Sequence, residues 1–284
     1  MKVRLIQVPY DSGHRGERMG AGALRFVGGG LARLLGEDGH EVETECVEAA
    51  SEFRAEIKTA FELARSLASR VREARVRGEF PVVLSGNCNA SLGTLAGADA
   101  VGMVWFDAHG DFNTPETTRG GFLDGMGMAV ATGRCWRNIA ATIEGFAPLA
   151  ESNVVHVGGR DFDAGERALL DASGVAVVTA ERIRSEGLRD ALAPALDALR
   201  RRVSDIYLHV DFDVLDAAEA PANEYGARVA GGLRVSELEE AIRMLRERFR
   251  VGAAGFAAYD PRFDPEGRTF AAGLRLMKTL LADT

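Results

Sequence analysis

Gly102-Met-Val-Trp-Phe106, followed at once by Asp107-Ala-His109-Gly-Asp111, is the stretch that decides how this chain folds. A short apolar run that stops at a cluster of Asp, His and Gly has the form of a buried strand ending at the rim of a sheet. The form recurs at Val3 to Val8, Glu41 to Val47, Pro81 to Leu84, Asn153 to Val157, Val175 to Val178, Ile206 to Val210 and Ala253 to Ala258. Between these runs lie stretches with apolar residues at helical spacing, at Ala23 to Leu35, Phe53 to Val76 and Phe270 to Leu281. Ser12 to Gly22 reads as a Gly-rich loop. Alternating strand and helix predicts a mostly parallel sheet of about eight strands with helices on both faces, a three-layer α/β/α architecture.

The 284 residues contain no Pro/Ser-rich or low-complexity linker, so one domain spanning 1–284 is expected. With 46% hydrophobic and 27% charged residues, the chain has the composition of a globular protein with a sizeable core. A formal net charge of −8 argues against general binding to nucleic acid or anionic membranes, which requires clustered Lys and Arg. Cys46, Cys88 and Cys135 are too few and too scattered for a disulfide framework, and no apolar run reaches membrane-spanning length. A cytoplasmic protein with a small-molecule partner is the expectation.

In an open parallel sheet the ligand lies beyond the carboxyl ends of the strands. Four polar clusters fall there: Ser85 to Asn89, Asp107 to Asp111, Gly159 to Asp163, and Asp211-Phe-Asp213. Asp107, His109 and Asp111 share parity, so in an extended segment they would project to one side. Two carboxylates and an imidazole suit Mn, Fe, Ni or Zn better than Ca or Mg. Asp211 and Asp213 repeat the spacing, and unpaired acids at a sheet rim repel one another unless a cation joins them. A solvated, turn-rich loop and a helix cap are the bland alternatives for each motif alone. Four carboxylates and one His exceed the needs of one ion, which points to two divalent ions sharing carboxylates and a water or hydroxide.

These residues resemble the arginase, agmatinase and formimidoylglutamase group of binuclear-metal ureohydrolases. The resemblance runs from Gly20 to Pro261. It is carried by Trp105 to Asn113 with Thr117-Thr118, by Asp211 to Asp216 with Pro221-Ala222, and by Gly231-Gly-Leu233. It implies that Asp107 and Asp211 bridge two metals, most simply Mn, that Asp111 binds the first, and that His109 and Asp213 bind the second. Where the family has a metal-binding His in Gly-Gly-Asp-His-Ser, this chain reads Ser85-Gly86-Asn87-Cys88-Asn89. Cys88 is thus the sixth candidate ligand, a thiolate that a dication would ionise; an unligated core cysteine is the competing reading.

The family's proton-transfer His corresponds to Asp124, and its guanidinium-holding Glu to Ala258 in Ala258-Tyr-Asp-Pro261. Asp260 stands two residues from the lost acid. Asn113, Thr118, Asp163 and Glu166 match residues that hold the amino-acid end of arginase substrates, Asp163 and Glu166 reading equally well as a helix cap and acidic first turn. The resemblance implies hydrolysis of a C–N bond in a guanidino or amidino compound by a metal-bridging hydroxide, with Asp111 and Asp124 moving protons. Because Ala258 removes the clamp, a modified guanidine such as an N-hydroxyguanidine, a formimidoyl compound or an amide is the alternative substrate class. A non-catalytic relative is the alternative function. Trimers or hexamers are expected from the family. His14, His40, His156 and His209 are expected to be structural or surface residues.

Overall fold

In the computed structural model, which describes residues 1–282, eight strands form one parallel sheet: β1 (Lys2–Val8), β2 (Glu41–Cys46), β3 (Phe80–Ser85), β4 (Met103–Phe106), β5 (Val154–Val157), β6 (Ala176–Val178), β7 (Asp205–Asp211) and β8 (Arg250–Ala257). Their order across the sheet is β2-β1-β3-β8-β7-β4-β5-β6, with every pairing parallel. Each apolar run singled out in the sequence is a strand. The central strands β3, β8, β7 and β4 carry most of the polar clusters at their carboxyl ends.

Successive residues of a strand face opposite layers, and the two cores follow that alternation. Val82, Leu84, Val104 and Phe106 pack with α1 (Gly20–Gly28), α2 (Leu31–Glu37), α6 (Leu188–Arg200), α7 (Val235–Arg248) and α8 (Arg268–Leu281). Val83, Met103 and Trp105 pack on the other face with α3 (Glu56–Val76) and α4 (Ser91–Ala98). Among the shorter helices, α5 (Ala164–Asp171) follows β5 and opens beside the site. Among the described residues no helix is long and apolar enough to cross a membrane.

Two expectations need correction. The single helix over Ala23 to Leu35 is two helices, broken at Gly29-Gly30, where Gly30 takes φ +87° and the Phe270 ring of α8 fills the space a side chain at Gly29 would need. The loop from Ser12 to Gly22 is partly ordered: Tyr10–Asp11 pairs antiparallel with His14–Arg15, and α1 begins at Gly20.

Glycine at the strand end lets backbones approach the centre closely. A Cβ on Gly86 would sit 2.2 Å from the Tyr10 carbonyl oxygen and 2.6 Å from the Gly20 nitrogen. Gly86→Ala must therefore push β3, the hairpin and α1 apart. It is expected to lower stability in urea melts by about 1–3 kcal/mol, and an unchanged midpoint would show that these backbones give freely.

Candidate metal centre

Five strand ends converge on a cavity of about 220 Å³. From β3 comes Cys88, from the loop after β4 His109, Asp111 and Asn113, from β5 Asp161 and Asp163, from β7 Asp211 and Asp213, and from β8 Ala258. Backbone amides orient the acids at its floor. The Asp213 N–H donates to Asp211 Oδ1 at 2.7 Å, the Ala108 N–H to Asp213 Oδ1 at 3.2 Å, and the His109 N–H to Asp107 Oδ1 at 2.8 Å. The Trp105 indole N–H donates to Asp107 Oδ2 at 3.0 Å. Cys88, 1% exposed, donates its S–H to Asp211 Oδ2 at 3.0 Å. His109 Nδ1 lies 3.2 Å from Asp213 Oδ2 and 3.4 Å from Asp107 Oδ1.

Two donor groups result. Ligand atoms of Cys88, Asp107 and Asp211 all lie within 4.8 Å of one another, and so do those of Asp107, His109 and Asp213. Asp107 belongs to both. Asp111 lines the same cavity but stands outside both groups. Parity is not what assembles the cluster: the segment after β4 is a loop rather than a strand, and Asp111 takes the left-handed φ of +48°. Its carbonyl there accepts from the Met128 and Ala129 N–H groups, which locks the turn.

Burial without a cation is costly for this set. Burial, then the Asp211 and Asp124 charges, push the Cys88 thiol well above the ordinary range. Burial and neighbouring aspartates likewise push up Asp111 and Asp211, and Asp107 rises through burial and Asp213. Asp213 goes the other way: burial acts to raise it, but its contact with His109 wins and holds it low. Burial acts to lower His109, yet Asp213 and Asp107 drive it well above the usual imidazole value. A dication beside these groups reverses the balance by favouring carboxylate and thiolate. Carboxylates, one imidazole and one thiol in two overlapping groups therefore fit a pair of ions sharing Asp107.

The remaining candidates surround this floor. Asp124 sits in a 3-10 turn (Asp124–Met126), accepting from Asn87 Nδ2 at 2.8 Å and the Asn89 N–H at 2.9 Å, and burial pushes it up to about 7. Asn113 donates to Asp163 Oδ2 at 3.2 Å, and Thr118 accepts from the Gly121 N–H at 3.1 Å. Asp163 holds the position before α5 but makes no side-chain cap. Glu166, 3% exposed, accepts from the Phe112 N–H at 2.8 Å and packs against Gly110, so it buttresses the loop after β4; burial pushes it up to about 7. Asp260 does not line the cavity and is tied to Arg262 at 2.6 Å. Ala258 does line it, buried, with its carbonyl accepting from Asn223 Nδ2 at 2.7 Å. Trp105 was read only as part of a strand and of the family motif, not as a partner of Asp107, and the cavity-lining Met19, Phe122, Asn223 and Tyr225 were not read as site residues. Only Trp105 carried a signal, its parity with Asp107 across one strand residue.

A buried acid cluster with an imidazole and a thiol, at the carboxyl rim of a parallel α/β/α sheet, is the arrangement of a metallohydrolase. The comparisons narrow that class. The model of the arginase family matches residues 1–282. The Bacillus subtilis arginase is 32% identical over 294 residues, covering 98% of this chain and 97% of its own, and that of Bacillus caldovelox is 31% identical over 297 residues, covering 99% and 98%. A crystal structure of the Bacillus subtilis arginase superposes with a TM-score of 0.90 at 30% identity, covering 100% of this chain and 99% of that one. The Bacillus subtilis formimidoylglutamase shares the fold, at a TM-score of 0.77 and 20% identity. The chain belongs to the arginase family, and it is a metal-dependent hydrolase of C–N bonds in guanidino or amidino compounds.

Proposed function

We propose that the chain holds two divalent ions, manganese first among them, through Cys88, Asp107, His109, Asp111, Asp211 and Asp213, and uses them on a guanidino compound whose scissile group differs from plain arginine. The observation that carries the metal assignment is the sharing of Asp107 between two donor groups on the cavity floor. When bound, the ions supply a Lewis acid and an activated water at neutral pH. The chain's own groups do the rest. Asp111 and Asp124, both on the cavity wall, would carry protons to the departing nitrogen. Asn113, Thr118, Asp163 and Glu166 line the same space and would meet the distal part of the substrate, and Phe122 and Tyr225, stacked at 5.8 Å, give it one aromatic wall. The lining includes Asp161 and Asp163 and no Lys or Arg, a field that suits a substrate bearing an amine.

Ala258 favours a second, narrower reading of the substrate. Ala258 lines the cavity at the position where the family resemblance implies a guanidinium-holding acid, and Asp260 is occupied by Arg262. A scissile group that is less basic than guanidinium, such as an N-hydroxyguanidine or a formimidoyl or amide group, does not need that clamp. Cytoplasmic residence, supported by three free cysteines, and assembly as a trimer or hexamer belong to the same proposal.

Metal content of protein purified without chelator, measured beside release of urea, hydroxyurea or ammonia from a panel of these compounds, tests it. Two ions per chain and turnover of a modified guanidine above arginine are expected. Cys88→Ala is expected to bind one ion instead of two. A metal-replete protein inert on the whole panel overturns the catalytic reading, and an unchanged ion count in Cys88→Ala removes the thiolate from the site.

A further inference from the structure

Behind the acid cluster, two residues back from Asp107 on β4 and from Asp211 on β7, runs a row of in-register residues across four strands. Gly255 of β8 pairs with His209 of β7, His209 with Trp105 of β4, and Trp105 with His156 of β5. The row is buried, Trp105 and His156 at 0% and His209 at 1% exposure. His209 lies flat on the Trp105 indole, ring centroids 3.7 Å apart and planes 23° apart. The indole is confined from another side by Gly127, where a Cβ would come within 3.2 Å of the ring. The Tyr207 hydroxyl lies 2.9 Å from His209 Nδ1 and fixes the tilt of the imidazole. That hydroxyl fits only because Gly255 has no side chain: a Cβ there would stand 2.2 Å from it.

His209 Nε2 is buried without a hydrogen-bond partner among the described residues. An unmet polar atom of this kind costs stability, which Nδ1 offsets by meeting the buried Tyr207 hydroxyl that sets the ring's orientation. The flat ring in turn acts on its neighbour. The indole it confines is the donor to Asp107 Oδ2, the carboxylate common to both donor groups. Without a plate on that face the indole is free to tilt, and its N–H loses the aim that holds Asp107.

We propose that His209, hydrogen-bonded to Tyr207, is a positioning residue for the metal centre, acting through Trp105 on Asp107. The inference rests on the reading that Asp107 is shared by two ions. His156 completes the row by meeting the His109 carbonyl oxygen at 2.6 Å, so the same layer of side chains supports both ends of the Asp107-Ala-His109 segment.

Manganese(II) binding by equilibrium dialysis is the test, on the wild-type chain, His209→Gln, His209→Phe, Trp105→Phe and the double variant Trp105→Phe/His209→Gln. Loss of the flat ring in His209→Gln is expected to weaken manganese binding about 10- to 100-fold, as loss of a partner one step behind a ligand typically does. Trp105→Phe should do the same by removing the indole N–H. His209→Phe restores the plate and should recover most of the affinity. The double variant should bind no worse than Trp105→Phe, because both changes act through one bond. Wild-type affinity in His209→Gln, or losses that add in the double variant, overturns the inference. So does a lowered melting temperature with unchanged affinity, which marks a merely structural residue. Should His209→Gln fail to fold, Tyr207→Phe carries the test through a loosened imidazole: a roughly threefold or greater weakening supports it and none overturns it. A wild-type chain that binds no manganese overturns the centre itself, an outcome distinct from all of these.

Discussion

Asp211→Asn is expected to abolish turnover and, in the same protein, to make the metal-free fold more stable. Asp211 ends β7 with its carboxylate inside the cluster, and burial, Asp213 and Asp107 all push its pKa well above the usual range. The amide keeps the contacts: its oxygen still accepts from the Asp213 N–H, and its nitrogen faces the Cys88 sulfur. What disappears is the cost, on folding, of either burying a negative charge there or taking up a proton, and each unit of displaced pKa corresponds to about 1.4 kcal/mol. A gain of that order in urea melts after chelation is expected. Activity moves the opposite way, since loss of about 4 kcal/mol of metal-dependent transition-state stabilisation corresponds to roughly a thousandfold. A structural aspartate would lose stability on the same change. A metal-free Asp211→Asn less stable than its parent, or one retaining wild-type rate with saturating manganese, contradicts the assignment.

The second large effect is a change of sign in the pH dependence of stability when metal is added. Above pH 6.5 the folded, metal-free chain holds a proton on His109 that the unfolded chain has released, and the raised pKa values of Asp111 and Asp211 act in the same sense. Stability therefore falls as pH rises through this window. His156 and His209, held down to about 4 and about 3 by burial, act oppositely, but their contribution is complete once the pH passes the unfolded value near 6.5. Asp213, held low by His109, is likewise complete well below neutrality. One extra proton retained across two pH units is worth about 2.7 kcal/mol, or roughly 5–10 °C in Tm for a chain of this size. Metal binding favours the deprotonated ligands, so saturating manganese should flatten or invert the slope between pH 6.5 and 8.5. Thermal melts with and without chelator check this. A chelated protein more stable at pH 8.5 than at 6.5 would remove the buried acids from the account.

Much of this was legible because strands and their rims have local signatures. Val82-Val-Leu84 or Met103-Val-Trp-Phe106 needs no partner to be read as a buried strand, and an Asp or Gly at its end marks where the sheet stops. The break at Gly29-Gly30 was not legible, since glycines alone do not end a helix; the ring of Phe270, some 240 residues away, decides it. Asp260 could not be placed from the sequence either, because its tie to Arg262 depends on how the chain turns after β8.

By itself the sequence determined the parallel α/β/α architecture, the family, and the rim segments that supply the acids, the imidazole and the thiol, because each depends on residue type and spacing along the chain. The resemblance led to both Asp107 and Asp211 being expected as shared ligands; only the tertiary structure put Asp107 alone in both donor groups, brought Cys88 to Asp211 and backed Trp105 with His209. Those facts depend on strand order. β4 and β7 are neighbours although about a hundred residues separate them, and the register between them places Asp107 beside Asp211 and Trp105 on His209. Spacing along the chain carries no record of that adjacency; packing two layers of helices on one sheet creates it.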